Sequence, residues 1–490
     1  MLFNTIDFII FFVFVLATII AIKNKKFQHI FILGASYFFF YYTSNYLITL
    51  LIFSTLLDYF VGNQIWKTEI LSRKKILLAL SLIGNLSLLG FFKYTDFAIT
   101  EFNELFRTVG IGEISLLEIA LPVGISFYTF QSMSYTLDIY YGRLKPSKSL
   151  GEFALFVAFF PQLVAGPILR ASNFLPQLRE KISEINSNMN LKQILIHNAN
   201  LKLGVTIMAF GFFKKMFFAD NLAPFVDELF FNPIGLESFA IILGTIGFGI
   251  QLYCDFSGYS DIAIGAALIL GFKIPANFNF PFFATSPTEF WRRWHISLST
   301  WVRDYLFYPM VFSDKTSKMR IFVSLFATLF LIGIWHGAGW NFVIYGIIHG
   351  FYVSIDSTIR NKFPSITSNI FFRSKIGKII SILATQYLIF LSFLSFRIHD
   401  LEHLTYSIQK FVIFDFQMNG IDSFVLEHKL PISLIVLFVI LHFISYNNSN
   451  LRQRIADLKL RYWAIFLTII MIAIIFFYDA NPRDFIYFKF

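Results

Sequence analysis

The sequence predicts an all-α integral membrane protein, a bundle of about twelve transmembrane helices with re-entrant segments between them. Three observations carry that prediction. Of 490 residues, 56% are hydrophobic and only 14% charged, and a soluble fold has too little interior to hide so much apolar surface. Phe alone supplies 66 residues; its ring packs against lipid or another helix and leaves no polar atom to satisfy in hydrocarbon. Finally, basic and acidic loops alternate along the chain, as they do when a polypeptide crosses a membrane repeatedly.

The spans follow in order. Apolar runs cover 8–22, 28–42, 46–62 and 76–92, with a longer one at 118–141. Several are shorter than the ~20 residues that a perpendicular helix needs. The first loop carries Lys23, Lys25 and Lys26, and the loop after the third run carries Lys67, Arg73, Lys74 and Lys75. Between the fourth and fifth runs Asp96, Glu101, Glu104 and Glu113 outweigh Lys93 and Arg107, and basic residues return at Arg143, Lys145 and Lys148. Basic loops stay in the cytoplasm, which puts the N-terminus outside. MLFNTIDFII lacks a basic leader, so it reads as the first membrane helix and not as a removable signal.

The same alternation holds near the other end. Arg360, Lys362, Arg373, Lys375 and Lys378 precede a run at 378–397, and an acidic segment with Asp400, Glu402, Asp415, Asp422 and Glu427 follows it. Arg452, Arg454, Lys459 and Arg461 separate the last two runs, 431–447 and 463–478. The C-terminus therefore also reads as external. Between these ends, GEFALFVAFFPQLVAGPILR at 151–170 is apolar but broken by Pro161, Gly166 and Pro167, which suggests re-entrant segments or a kinked helix. Residues 171–203 are polar and read as a cytoplasmic amphipathic stretch. The chain divides into N-terminal helices at 1–115, a core at 116–357 and C-terminal helices with an aromatic tail at 358–490.

The net charge of +10 belongs to those loops, since no basic run interleaves with base-stacking aromatics; nucleic acid is not an expected partner, whereas membrane lipid is. The single cysteine, Cys254, rules out an internal disulfide and a Cys-based zinc site. No H-E-x-x-H motif, P-loop or G-x-S-x-G elbow is present, and neither a bound cofactor nor a metal is expected.

Three clusters place ionisable groups within apolar sequence, where they are costly and therefore functional candidates. His336 ends an apolar run in LFLIGIWHGAGWNFVIYG, between Trp335 and Gly337, where a neutral imidazole suits a general base or a packed core histidine. TEFWRRWHISLSTWVRDYLFYP at 288–309 sets Arg292, Arg293, His295, Arg303 and Asp304 among three tryptophans. This pattern fits an interfacial helix, and its arginines also suit the phosphates of a nucleotide-bearing donor. QLYCDFSGYSDIAIGAA at 251–267 carries Asp255 and Asp261, which suit a cation, a proton relay or pairing with Lys214 and Lys215.

At these segments the chain resembles the membrane-bound O-acyltransferase family, in its bacterial alginate and peptidoglycan O-acetyltransferase branch. The matching stretches are LPVGISFYTFQSMSYTLDIYYG at 121–142, FFPQLVAGPILR at 159–170, YCDFSGYSDIAIG at 253–265, FWRRWHISLSTWVRDYLFYP at 290–309 and GIWHGAGWNFVIYGIIHG at 333–350. The resemblance implies a helical funnel in which a cytosolic thioester and an external acceptor reach one site from opposite sides. It implies His336 and His295 as the catalytic pair, acetyl-CoA as co-substrate, and a periplasmic SGNH-type acetyltransferase and a polysaccharide acceptor as partners. Related systems end in an aromatic motif whose tyrosine relays the acyl group, and Tyr487 in the terminal FIYFKF matches it. The rival readings are D-alanyl transfer to teichoic acid, a transporter or flippase of acyl donor or glycan, and a structural subunit that recruits a soluble acetyltransferase.

Overall fold

A computed structural model describes residues 1–22, 24–110, 112–164, 166–184, 198–312, 317–364, 369–416, 420–478 and 483–489. Among the described residues the secondary structure is helical, with no strand. Among the described residues, seven helical stretches are long and apolar enough to cross a membrane: Phe27–Lys67, Leu71–Thr108, Ser238–Ile269, Lys318–His336, Trp340–Lys362, Lys375–Arg397 and Lys429–Asn447. Ile6–Ala21 and Leu460–Phe476 are apolar but shorter. The chain is a multi-pass membrane protein of helical class. The first of the seven stretches turns at Asn45, whose φ of +48° interrupts the regular helix.

The helices fall into two compact units. The first comprises residues 1–208 with 259–275. It contains α1 (Ile6–Ala21), α2 (Lys25–Ser44), α3 (Ile48–Lys67), α4 (Leu71–Thr108), α5 (Ile125–Tyr140), α6 (Leu150–Ala158) and α7 (Ala171–Glu184). Here a polar knot holds the membrane helices. The carboxylate of Asp58 on α3 accepts from Ser81 Oγ at 2.5 Å, from Asn85 Nδ2 at 3.0 Å and from Ser132 Oγ, joining α3 to α4 and α5. All four side chains are fully buried, so these hydrogen bonds replace water that hydrocarbon cannot supply. The 118–141 run forms a helix only from Ile125, and α5 hides Gln131, Ser132, Ser134, Thr136 and Asp138.

The broken segment at 151–170 becomes two short helices, α6 and Phe160–Leu163, both buried and too short to cross a bilayer. Of the polar stretch at 171–203, α7 and the first residues from Asn198 are described, and the part between them lies outside the described residues.

The second unit comprises residues 209–258 with 276–490. Helix α8 (Asn198–Phe212) runs into it and continues as a π-helical segment, Phe213–Ala219, before α9 (Asp220–Phe231). It also holds most of α10 (Ser238–Ile269), then α11 (Pro287–Arg293), α12 (Ile296–Val302), α13 (Lys318–His336) and α14 (Trp340–Lys362). Helices α15 (Lys375–Arg397), α16 (Leu401–Val412), α17 (Lys429–Asn447) and α18 (Leu460–Phe476) complete it, followed by a terminal 3₁₀ turn, Ile486–Lys489. Helices α13 and α14 approach backbone to backbone. A Cβ added at Gly333 would come within 2.3 Å of Gly346 Cα, so only glycine permits this crossing. That crossing lies one turn from the end of α13, where His336 stands.

Candidate active site

The second unit gathers its chemistry around the end of α13. His336 is 2% exposed and closes the helix beside Gly337. Its imidazole is walled by Trp335, Tyr345 and Phe396, with ring centroids 5.0, 5.8 and 5.0 Å away. The fourth wall is Tyr487 of the terminal turn, 5.5 Å from His336. The C-terminal aromatic segment therefore packs in the interior of this unit, with Phe485 and Ile486 buried and Tyr487 partly exposed.

His295 belongs to the same ring cluster. Phe256 stands 4.6 Å from His295 and 4.7 Å from Tyr487, and Trp335 lies 6.2 Å from His295. Residue 295 precedes α12 with a φ of +44°, a conformation that L residues seldom adopt. The loop at Asn277 holds it there. Ile296 N–H donates to Asn277 C=O at 2.9 Å, and the Asn277 side-chain oxygen accepts from Ser297 N–H at 3.1 Å and Ser297 Oγ at 2.8 Å. A backbone N–H can only donate, so the side-chain atom facing Ser297 is Oδ1 and not the amide nitrogen. His295 Nδ1, 3.3 Å from that same oxygen, must then carry the proton, and Nε2 keeps its lone pair. Burial pushes the His295 imidazole down to about 3, so it is neutral at ordinary pH.

The arginines of the 288–309 segment point to local partners. Arg293 forms a 2.7 Å ion pair with Glu289 one turn back and donates to Asn279 C=O. Arg303, half exposed, pairs with Asp304 at 2.7 Å. Arg292 is exposed. None of these contacts joins the arginines to the two imidazoles.

Behind the ring cluster lies a buried charge cluster. Lys215 Nζ stands 2.8 Å from both Asp220 and Asp255. The anticipated pairing of Asp255 with Lys215 is therefore present, whereas Asp220 was not legible. Lys215 and Asp220 are five residues apart, which puts them on different faces of an α-helix. The π segment closes an Asp220 N–H to Lys215 C=O bond and aligns them. Gly258 permits the approach: a Cβ there would meet Gly211 C=O at 2.9 Å and Lys215 N at 3.1 Å. Lys214 turns the other way, donating to Ser257 Oγ at 2.8 Å. Asp261, six residues beyond Asp255 on α10, belongs to the first unit.

His349 is a buried group that the sequence reading passed over. Trp291 Nε1–H donates to its Nδ1 at 3.2 Å, so Nε2 bears the hydrogen and donates to Ser392 Oγ at 2.9 Å. Both nitrogens are engaged, and the ring packs 4.3 Å from Tyr345. It ties α11, α14 and α15 together behind the wall of His336. Its place in an apolar helix was the signal that could have found it.

This arrangement offers a buried imidazole against a phenol, a second neutral imidazole in the same cluster, and no group of three metal-ligating side chains among the described residues. The comparison with known proteins decides the class. The profile of the membrane-bound O-acyltransferase family matches residues 144–396. The chain belongs to the membrane-bound O-acyltransferase family. It is 32% identical to the peptidoglycan O-acetyltransferase of Helicobacter pylori over 96% of this chain and 92% of that protein. It is 36% identical to the probable alginate O-acetylase of Pseudomonas aeruginosa over 73% of this chain and 66% of that protein. The teichoic acid D-alanyltransferase of Streptococcus thermophilus is 32% identical, over 49% of this chain and 58% of that protein. The enzyme is thus an acyltransferase, and in it His336 and His295 share one aromatic cluster with the C-terminal turn.

Proposed function

We propose that this enzyme moves an acetyl group from acetyl-CoA in the cytosol to an extracytoplasmic polysaccharide, either peptidoglycan or an alginate-like exopolysaccharide. The observation that supports it most is the seating of Tyr487 against His336, with His295 in the same cluster. The names of the relatives matched over most of this chain point to the same O-acetylation chemistry.

In the proposed reaction, His336 removes the proton of the Tyr487 phenol as its oxygen attacks the thioester carbonyl. The carbon–sulfur bond breaks, and the thiol leaves with the proton that His336 gives back. The products are free CoA and an acetyl ester on Tyr487. Burial raises the Tyr487 phenol well above its ordinary range, so the hydroxyl needs a base beside it. His295, with its lone pair on Nε2, suits orientation of the reacting hydroxyl; in that tautomer it has no proton to offer an oxyanion. The ester then passes to a periplasmic SGNH-type acetyltransferase and on to the glycan hydroxyl. Arg292, Arg293 and Arg303 are the cations that would receive donor phosphates, Arg292 being exposed while the others already face carboxylates. In this reading the enzyme sits in the bacterial cytoplasmic membrane with both termini outside.

D-alanyl transfer is the second reading, supported by the shorter match to teichoic acid D-alanyltransferases. The deciding experiment supplies the purified full-length protein with acetyl-CoA or, separately, with a D-alanyl carrier-protein thioester, and measures released thiol. Release from acetyl-CoA alone is expected. Release from the carrier alone would replace acetyl transfer with D-alanyl transfer.

A further inference from the structure

The terminal segment is gripped by its backbone as well as by its rings. Asp255 Oδ2 accepts from Ile486 N–H at 2.7 Å, and Lys215 Nζ donates to Asp484 C=O at 3.3 Å. Asp255 Oδ1 and Asp220 Oδ1 each lie 2.8 Å from the same ammonium. Asp255 is 3% exposed and Lys215 1%. One residue earlier, Arg483 pairs with Asp227 at 2.9 Å, and the other oxygen of Asp227 holds Arg397 at 2.9 Å. Buried charges of this kind stabilise a fold poorly, because desolvation cancels most of their attraction, and their better-attested use is to specify one arrangement over its neighbours.

The terminal sequence needs such specification. In Phe485-Ile486-Tyr487-Phe488 every side chain is large and apolar in body, but only Tyr487 carries a hydroxyl. A chamber lined by Phe256, Phe396 and Trp335 has little means of telling a phenyl ring from a phenol by packing. A slip of one residue along the chain would present Ile486 or Phe488 to His336, and neither can take an acyl group. A backbone contact is blind to side chains and counts residues instead, as the ladder of a sheet does. Asp255 is also placed to couple the two features, because it adjoins Phe256, whose ring touches both Tyr487 and His295.

We infer that Asp255, braced by Lys215 and Asp220, is a positioning residue that binds the Ile486 peptide N–H and so sets the register in which Tyr487 meets His336. This inference rests on the reading of Tyr487 as acyl acceptor. Asparagine at position 255 cannot serve both neighbours: its single oxygen turns to Lys215, and its amide group then faces Ile486 donor to donor. Proline at 486 removes the N–H at the first position of the terminal turn, where proline's backbone is tolerated.

The test uses the full-length protein with Asp255→Asn, Ile486→Pro, their combination, and Ile486→Val as the control that keeps the N–H. After incubation with acetyl-CoA, acetyl on Tyr487 is quantified by peptide mass mapping. Loss of one charge-assisted hydrogen bond should lower it roughly tenfold or more in each single variant. The double variant should be no worse than either single, because both remove the same contact. Ile486→Val should match wild type. Wild-type labelling in either Asp255→Asn or Ile486→Pro, or multiplicative losses in the double, would overturn the inference. Amide hydrogen exchange of residues 483–489 separates this from the acyl-relay reading. The Ile486 amide should exchange slowly in wild type and quickly in Asp255→Asn at an unchanged melting temperature, whether or not Tyr487 is acylated. Unchanged protection would overturn the register clamp by itself. Slow exchange without any acetyl on wild-type Tyr487 would instead sink the relay.

Discussion

The ring of Tyr487 lies 5.5 Å from the imidazole of His336, tilted by 50°. This relationship joins a residue three positions before Phe490 to the end of α13 and makes the terminal turn part of the ring cluster around His336.

Tyr487→Phe should separate the chemistry of that contact from its packing. The phenyl ring retains the contacts with Phe256, Phe485 and Phe396, so stability should change by less than about 1 kcal/mol. Acetylation of the polysaccharide in cells should nevertheless fall to the level of a strain lacking the enzyme. The O-acetyl content of purified cell-wall and extracellular glycan checks this, and full acetylation by Tyr487→Phe would remove the relay.

Asn277 should be as important to His295 as any wall residue. Its side-chain oxygen serves Ser297 N–H, Ser297 Oγ and His295 Nδ1 together. Asn277→Ala leaves buried donors without an acceptor, at a cost of about 1–3 kcal/mol, and releases the His295 tautomer. A lower melting temperature in detergent and a drop in acetyl transfer should appear together, whereas Asn277→Asp should retain more of both because it keeps the acceptor.

The neutral His295 predicts a pH signature of stability. Its folded-state value lies near 3, below the ordinary ~6.5 of an unfolded imidazole. The unfolded chain therefore binds the extra proton between those limits, and stability falls as pH drops below about 6. Melting temperatures measured from pH 7 to 4 should decline less steeply in His295→Gln than in wild type. Identical slopes would show that His295 is not held neutral by the fold.

Gly333→Val tests the crossing that sets His336 in place. The new side chain would collide with Gly346, and overpacking of this kind costs at least about 1–3 kcal/mol. A melting point equal to wild type would mean that α13 and α14 can separate without consequence.

Much of this site was legible in the sequence, and the missing parts share physical causes. His336 and His295 could be named because their segments resemble a known family, and the structure brings both into one ring cluster. The Lys215–Asp255 pair was open to inference because lone charges in apolar helices seek partners. Asp220 was hidden because α-helical spacing would turn it away from Lys215, and only the π segment aligns the two. The terminal turn read as an external tail, since a short aromatic segment carries no local sign that an aspartate some 230 residues away will bind its backbone. His349 went unremarked although both its nitrogens are engaged. The span count is a matter of length: α5 is too polar and α6 too short to register as crossings, so the expected twelve stand beside seven stretches of full length and two shorter apolar helices.

The most direct test of the central claim follows acetyl itself. Purified wild type and His336→Ala, each with an intact melting transition, are incubated with labelled acetyl-CoA, and the modified residue is located by peptide mass mapping. Wild type should carry acetyl on Tyr487 and release an equal amount of CoA, and His336→Ala should be slower by roughly 10²–10⁴-fold in both. Equal rates in the two proteins, or acetyl on wild type at a residue other than Tyr487, would contradict the assignment of this chamber as the site of acyl transfer.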